Sequence, residues 1–104
     1  MPSIVSFDEH LALLSVSGDE DRASSGLRRP SLSAALQASR DVVVDLSELR
    51  FADSSLILDL AMLAQRLRAH GHGLRVCGSP PHIHRLIRVV GLHSLPAVAV
   101  DDPR

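Results

Sequence analysis

The feature that most constrains this chain lies between residues 41 and 56. Residues 41–46 include three consecutive valines and are apolar on both faces, which is typical of a central strand covered on both sides. After a polar turn, Asp53, Ser54 and Ser55 lead into a strongly apolar helix. Serine hydroxyls at a helix N-terminus lie where free N–H groups and the helix dipole favour a phosphate. The pattern suggests a switch whose state is a covalent charge.

Apolar periodicity and turn residues predict the remaining elements. We expect strands over residues 3–8, 11–17, 74–77 and 97–100, and helices from about Ser31, over 54–70, and from Pro80 with Ser79 as its N-cap. Helices that cross between strands imply parallel pairs and right-handed crossovers. The prediction is a single α/β domain over residues 1–104, ending in a polar tail over 101–104. Its order is ββαβαβαβ, with a mixed sheet and helices mainly on one side.

Composition excludes several classes of function. The chain has 104 residues and a formal net charge of -1, so no electrostatic case exists for nucleic acid as the main partner. Because Cys77 is the one cysteine, no internal disulfide forms, and we expect it to be a small core residue. The sequence shows neither a secretion signal nor an apolar run of ~20 residues, so we expect no membrane span and a soluble cytoplasmic protein.

Six histidines raise the question of a metal site. Two pairs, His70 with His72 and His82 with His84, have two-residue spacing, and His93 follows. That spacing suits chelation from a strand or loop, but on a helix it points the two side chains to different faces. We therefore interpret these as surface histidines and expect neither a metal nor a cofactor.

Three segments together resemble a known family. Residues 42–55 resemble its apolar strand, Asp-Leu-Ser and Asp-Ser-Ser signature, and residues 18–21 resemble its Gly-Glu-Leu-Asp turn at the first and last positions. Residues 79–92 are similar to its Ser-Pro-x-Val-x-x-Leu-Leu-x-x-x-Gly-Leu segment. On these motifs, in this order, the chain resembles STAS domains, in particular the bacterial anti-sigma factor antagonists.

The resemblance implies a non-catalytic switch. The unphosphorylated antagonist binds an anti-sigma factor, usually a GHKL-type serine kinase, and so releases a sigma factor for transcription. The kinase phosphorylates the first serine after the aspartate, which abolishes binding, and a PP2C-type phosphatase reverses the step. The matching residue here is Ser54, with Ser55 as a neighbouring candidate.

The expected partner surface combines the 18–21 turn with the start of the apolar helix. Its members are Gly18, Asp21, Asp53, Ser54, Ser55, Leu56, Ile57, Leu58, Asp59 and Met62. The helix is more apolar than one buried face requires, so Ile57, Leu58 and Met62 suggest a docking patch, with Asp59 and Arg66 at its rim. Packing against neighbouring helices, or self-association as a homodimer, would also account for these additional apolar residues.

One residue departs from the family pattern. Leu56 replaces the glycine that follows the serines, and we expect a leucine there to obstruct or reshape a partner's approach.

Other functions compatible with these residues stay open. Asp53, Ser54 and Ser55 are preferred N-cap types and could simply cap the helix. Some STAS-like proteins are accessory subunits of transporters or larger assemblies without a phosphorylation cycle, and an apolar helix would suit such permanent packing. A small-ligand or nucleotide binder is a third class, supported only by the one helix start.

Overall fold

The computed structural model describes residues 4–20 and 25–103, and only the backbone of Ser25. Within them lie six strands and three helices. The strands are β1 Ile4–Asp8, β2 Leu13–Glu20, β3 Val42–Asp45, β4 Leu49–Ala52, β5 Leu74–Cys77 and β6 Val98–Val100. The helices are α1 Ser25–Gln37, α2 Ser54–Ala69 and α3 Pro81–Val90, and a 3-10 turn covers Leu92–Ser94. No helix in these residues is both long and apolar enough to cross a membrane.

The strands form one mixed sheet in the order β1-β2-β3-β5-β6, with β4 paired to β2 outside this path. Only β1 and β2 pair antiparallel, and each other pair is parallel. Parallel neighbours need crossover connections, and the helices α1, α2 and α3 lie in those between β2 and β3, β3 and β5, and β5 and β6. The predicted α/β class with a mixed sheet is confirmed.

The core lies on one face of this sheet. On β3, Val42 and Val44 are buried, and they belong to the same apolar cluster as Leu56 and Leu60 of α2. Val43, which points to the opposite face, is only half-buried. Helices on one side are therefore as predicted, but the expectation that this strand is covered on both sides is wrong.

The fourth strand was not predicted. The sequence predicts a polar turn before Asp53, but Leu49–Ala52 pairs in parallel with the C-terminal end of β2. Its end residues, Leu49 and Ala52, are buried and its middle two are exposed, so the segment lacks the alternation that identifies a strand. The observed order is ββαββαβαβ.

The first helix begins earlier than predicted, at Ser25 instead of about Ser31, and includes Pro30. A proline inside a helix removes one backbone donor and crowds the preceding turn, which is why the sequence favoured a later start. The added turn carries Arg28, whose side chain is fully buried and hydrogen-bonded. We infer that these charge-assisted bonds offset the cost of the proline.

Candidate functional site at the start of the second helix

Asp53, the residue between β4 and α2, is hydrogen-bonded through both its backbone and its side chain. The backbone N–H of Asp53 donates to the carbonyl of Glu20 at 3.0 Å, which extends the β2–β4 pairing by one bond. Asp53 is the N-cap of α2, and its Oδ1 accepts from the backbone N–H of Ser55 at 2.9 Å. This is the N-cap arrangement that the residue types predict.

The two serines after Asp53 have different surroundings. Ser54 is the first residue of α2 and is exposed. Ser55 is half-buried, and its hydroxyl donates to Asp53 Oδ1 while accepting from Nη2 of Arg28 at 3.1 Å. The hydroxyl of Ser55 is therefore engaged within the domain, whereas that of Ser54 faces the surface.

Arg28 connects this helix start to two other elements. Its guanidinium donates from Nε to Asp59 Oδ2 at 2.8 Å and from Nη1 to Glu20 Oε1 at 3.3 Å. Arg28 and Glu20 are fully buried, and the side chain of Asp59 is 33% exposed. One guanidinium thus joins the end of β2, α1 and the first two turns of α2.

Neither Arg28 nor Glu20 is distinguished by the sequence pattern. Arg28 is one of eleven basic residues and precedes another arginine, so nothing local distinguishes it from a surface residue. Its one indirect signal is the acidic residue Asp59 within an otherwise apolar stretch of helix, since a carboxylate there needs a cation.

The turn predicted over residues 18–21 is not seen in the described residues, because Gly18, Asp19 and Glu20 continue β2. Gly18 is buried, has φ of +79°, and lies at the shift in register between β2 and β4. Its N–H donates to the carbonyl of Glu48 at 3.1 Å. Only glycine adopts this left-handed conformation freely, so the residue shapes the bulge and offers no side chain to a partner. Asp21, the other predicted contact in this turn, lies outside the described residues.

Two predicted partner residues are corrected by their burial. Leu56 and Ile57 are fully buried and belong to the core, so their side chains offer no surface to a partner and that of Leu56 is not placed to obstruct one. Leu58 and Met62 are 53% and 51% exposed. They follow Ser54 at intervals of four residues, so the three lie along one face of α2.

Cys77 lies on β5, on the sheet face opposite the helices, and is half-buried. The prediction that it is a core residue is therefore wrong. Burial raises the pKa of its thiol, and the carboxylates of Asp45 and Asp101 raise it further. The thiol is thus held in its protonated, less nucleophilic form.

The histidines do not come together. His82 Nε2 donates to the carbonyl of Arg50 at 2.8 Å, while His84 Nδ1 lies 3.4 Å from the hydroxyl of Ser79. Across residues 4–20 and 25–103, no three His, Cys, Asp or Glu residues are arranged to hold a metal ion.

Two solved structures are similar in fold. An anti-sigma-factor antagonist (STAS) domain protein from Planctomyces limnophilus matches with a TM-score of 0.72 and 17% identity, over 96% of this chain and 90% of that chain. An anti-sigma factor antagonist from Mycobacterium paratuberculosis matches with a TM-score of 0.70 and 24% identity, over 94% of this chain and 84% of that chain. At such identities the likeness establishes the fold.

Family membership comes from a sequence comparison. No curated protein sequence matches the chain. A family model described as "Mlab, STAS domain" matches residues 4–97, which is nearly the whole chain. The match confirms the resemblance drawn from the three motifs, and the chain therefore belongs to the STAS domain family.

Proposed function

We propose that this protein is an anti-sigma factor antagonist controlled by phosphorylation of Ser54. It binds an anti-sigma factor that is also a GHKL-type serine kinase, releases a sigma factor, and is restored by a PP2C-type phosphatase. It has no catalytic role of its own, because the kinase supplies the nucleotide. The observation that supports the proposal is the contrast at the start of α2: Ser54 is exposed, while the Ser55 hydroxyl is engaged by Asp53 and Arg28.

Charge explains how such a switch would act. Phosphorylation adds about -1.5 to -2 charges. At Ser54 the helix N-terminus partly compensates this charge, so the fold is retained. The carboxylate of Asp53 lies beside it, so the local potential seen by a partner becomes strongly negative. A partner pocket that accepts a hydroxyl would then meet a bulky dianion, and a loss of a few kcal/mol lowers affinity by orders of magnitude.

A pull-down from lysate of the source organism tests the proposal, with wild type, Ser54→Ala and Ser54→Asp as baits. We expect wild type and Ser54→Ala to retain a GHKL-type kinase and Ser54→Asp to lose it. Ser6→Asp is the matched control, since Ser6 is exposed on β1 and away from the helix start. Incubating the retained kinase and ATP with the chain should modify Ser54 and leave Ser54→Ala unmodified. Equal retention by all baits would contradict the switch.

The second candidate is an accessory STAS subunit of a transporter or larger assembly, without a phosphorylation cycle. One observation favours it: the matching family model is described by the name Mlab and not as an anti-sigma factor antagonist. Constitutive co-purification with one partner, unchanged by Ser54→Asp, would support this function over the first.

A further inference from the structure

A groove runs between α1 and α2 on the outer side of the helical layer. Its volume is about 420 Å³, and α1 contributes Arg29, Leu32, Ser33 and Leu36 while α2 contributes Asp59, Met62, Leu63 and Arg66. Each helix lines it over about two turns, or ~10 Å. The floor is aliphatic, and Met62 at its edge is 51% exposed. A groove of this length, with aliphatic side chains at its base and polar ones along its edges, is the shape that an amphipathic helix fills with side chains at i, i+3, i+4 and i+7.

The helical layer carries its charge asymmetrically. In the three described helices the charged residues are Arg28, Arg29, Asp59, Arg66, Arg68, Arg85 and Arg88. Asp59 is the one acidic member, and it is hydrogen-bonded to the buried guanidinium of Arg28. The five other arginines are exposed. Although the whole chain has a formal net charge of -1, the helical face is therefore strongly basic.

Two of these arginines belong to the groove. Arg29 and Arg66 are exposed, and neither makes an ion pair with any residue that the structure describes. Asp59 also lines the groove, but its carboxylate forms an ion pair with the buried guanidinium of Arg28. An aliphatic floor with two free guanidinium groups is complementary to a surface that is apolar in its centre and acidic at its edges.

We propose that the groove between α1 and α2 docks an acidic amphipathic helix of a partner protein. The proposal goes beyond the Ser54 switch, because docking here requires no phosphorylation and uses no contact with Ser54. A helix from a second copy is a poor occupant, since the helices of this chain are themselves basic. A flat anionic membrane would use all five exposed arginines and would leave the recess unfilled.

The test uses the full chain and two fluorescein-labelled synthetic helices of about four turns. One has leucines at i, i+3, i+4 and i+7 with glutamates at the flanking positions, and the other has lysines in place of the glutamates. By fluorescence anisotropy near physiological salt, we expect saturable binding of the acidic peptide and at least about tenfold weaker binding of the basic one. Arg29→Glu and Arg66→Glu should each weaken acidic-peptide binding by about tenfold.

Arg85→Glu is the matched control, because it makes the same charge change on α3 outside the groove. It should change the affinity by less than about threefold. Since Arg29 and Arg66 are exposed and unpaired, their variants should keep the wild-type circular dichroism spectrum. The Arg29→Glu/Arg66→Glu double variant should gain affinity for the basic peptide, which would confirm charge complementarity at the groove.

Three results would overturn the proposal. The first is absence of saturable acidic-peptide binding. The second is an equal loss of acidic-peptide affinity in Arg66→Glu and Arg85→Glu, or binding to phosphatidylglycerol vesicles that both variants weaken equally. Either outcome would indicate attraction by the whole basic face. The third is a dimer, detected by size-exclusion chromatography, that no longer forms in Arg66→Glu. A second copy would then occupy the groove. A failed Ser54→Asp pull-down leaves these readouts untouched, so the two proposals fail separately.

Discussion

Nη2 of Arg28, on α1, lies 3.1 Å from the hydroxyl of Ser55 in the first turn of α2. The same guanidinium bonds Glu20 at the end of β2 and Asp59 one turn further along α2. The helix start that carries Ser54 is thus fixed from beneath by a buried cation. In the proposed switch, a rigid helix start would present Ser54 to the kinase in one geometry, which is what recognition of a single hydroxyl requires.

Arg28→Met tests how far this cation stabilises the domain. Methionine keeps most of the aliphatic length but removes the guanidinium group that pairs with the buried carboxylate of Glu20. We expect the free energy of unfolding to fall by about 3–5 kcal/mol, as when one member of a buried ion pair is removed. Urea denaturation followed by circular dichroism measures the change.

Arg29→Met is the control, because the neighbouring residue has the same chemistry and is exposed. Its unfolding free energy should stay within about 0.5 kcal/mol of wild type. If both variants lose the same stability, the Arg28 network contributes nothing beyond what a surface arginine contributes.

The two serines should differ in stability as they differ in environment. Ser55→Ala removes a hydroxyl that bonds both Asp53 and Arg28, so we expect a loss of about 1–2 kcal/mol. Ser54→Ala removes an exposed hydroxyl and should change stability by less than about 0.5 kcal/mol. Thermal melts of the two variants measure this, and equal melting temperatures would mean that the Ser55 bonds have no net effect.

The sequence predicted the elements whose signal is local. The valines of β3 and the 3.6-residue period of α2 are where the pattern places them. What it could not predict depends on pairing in space. β4 forms because Leu49–Ala52 lies beside the C-terminal end of β2. α1 begins before Pro30 because Arg28 is hydrogen-bonded to carboxylates on other elements.

The candidate site divides in the same way. The order of Asp53, Ser54 and Ser55 predicted a capped helix start, and the structure has one. Which of the following apolar residues is exposed depends on how α2 is rotated against the sheet. The helix period fixes the relative positions of Leu56 to Met62 but not which face turns inward, so Ile57 was placed on the surface although it is buried.

The raised pKa of Cys77 predicts slow alkylation of the folded protein. At pH 8 iodoacetamide should modify the folded thiol more slowly than the same thiol in the urea-unfolded chain, because less of it is thiolate. As pH rises toward the raised pKa, the folded rate should rise and the difference should narrow. Asp101→Asn removes one of the carboxylates that raise this pKa, so it should speed the reaction at pH 8. If folded and unfolded rates are equal at pH 8, the folded environment of Cys77 does not lower the thiolate fraction.

Leu56→Ala, compared with Leu58→Ala, tests the corrected orientation of α2. Leu56 is fully buried, so truncating it should leave a cavity and cost about 2–5 kcal/mol of unfolding free energy. Leu58 is 53% exposed, so the same truncation should cost less than about 1 kcal/mol. For a domain of this size that contrast corresponds to a difference of roughly 5 °C or more in melting temperature. Chemical denaturation of the two variants decides it. A larger loss for Leu58→Ala would mean that α2 packs on the sheet through its other face, which would return Leu56 to the surface beside Ser54.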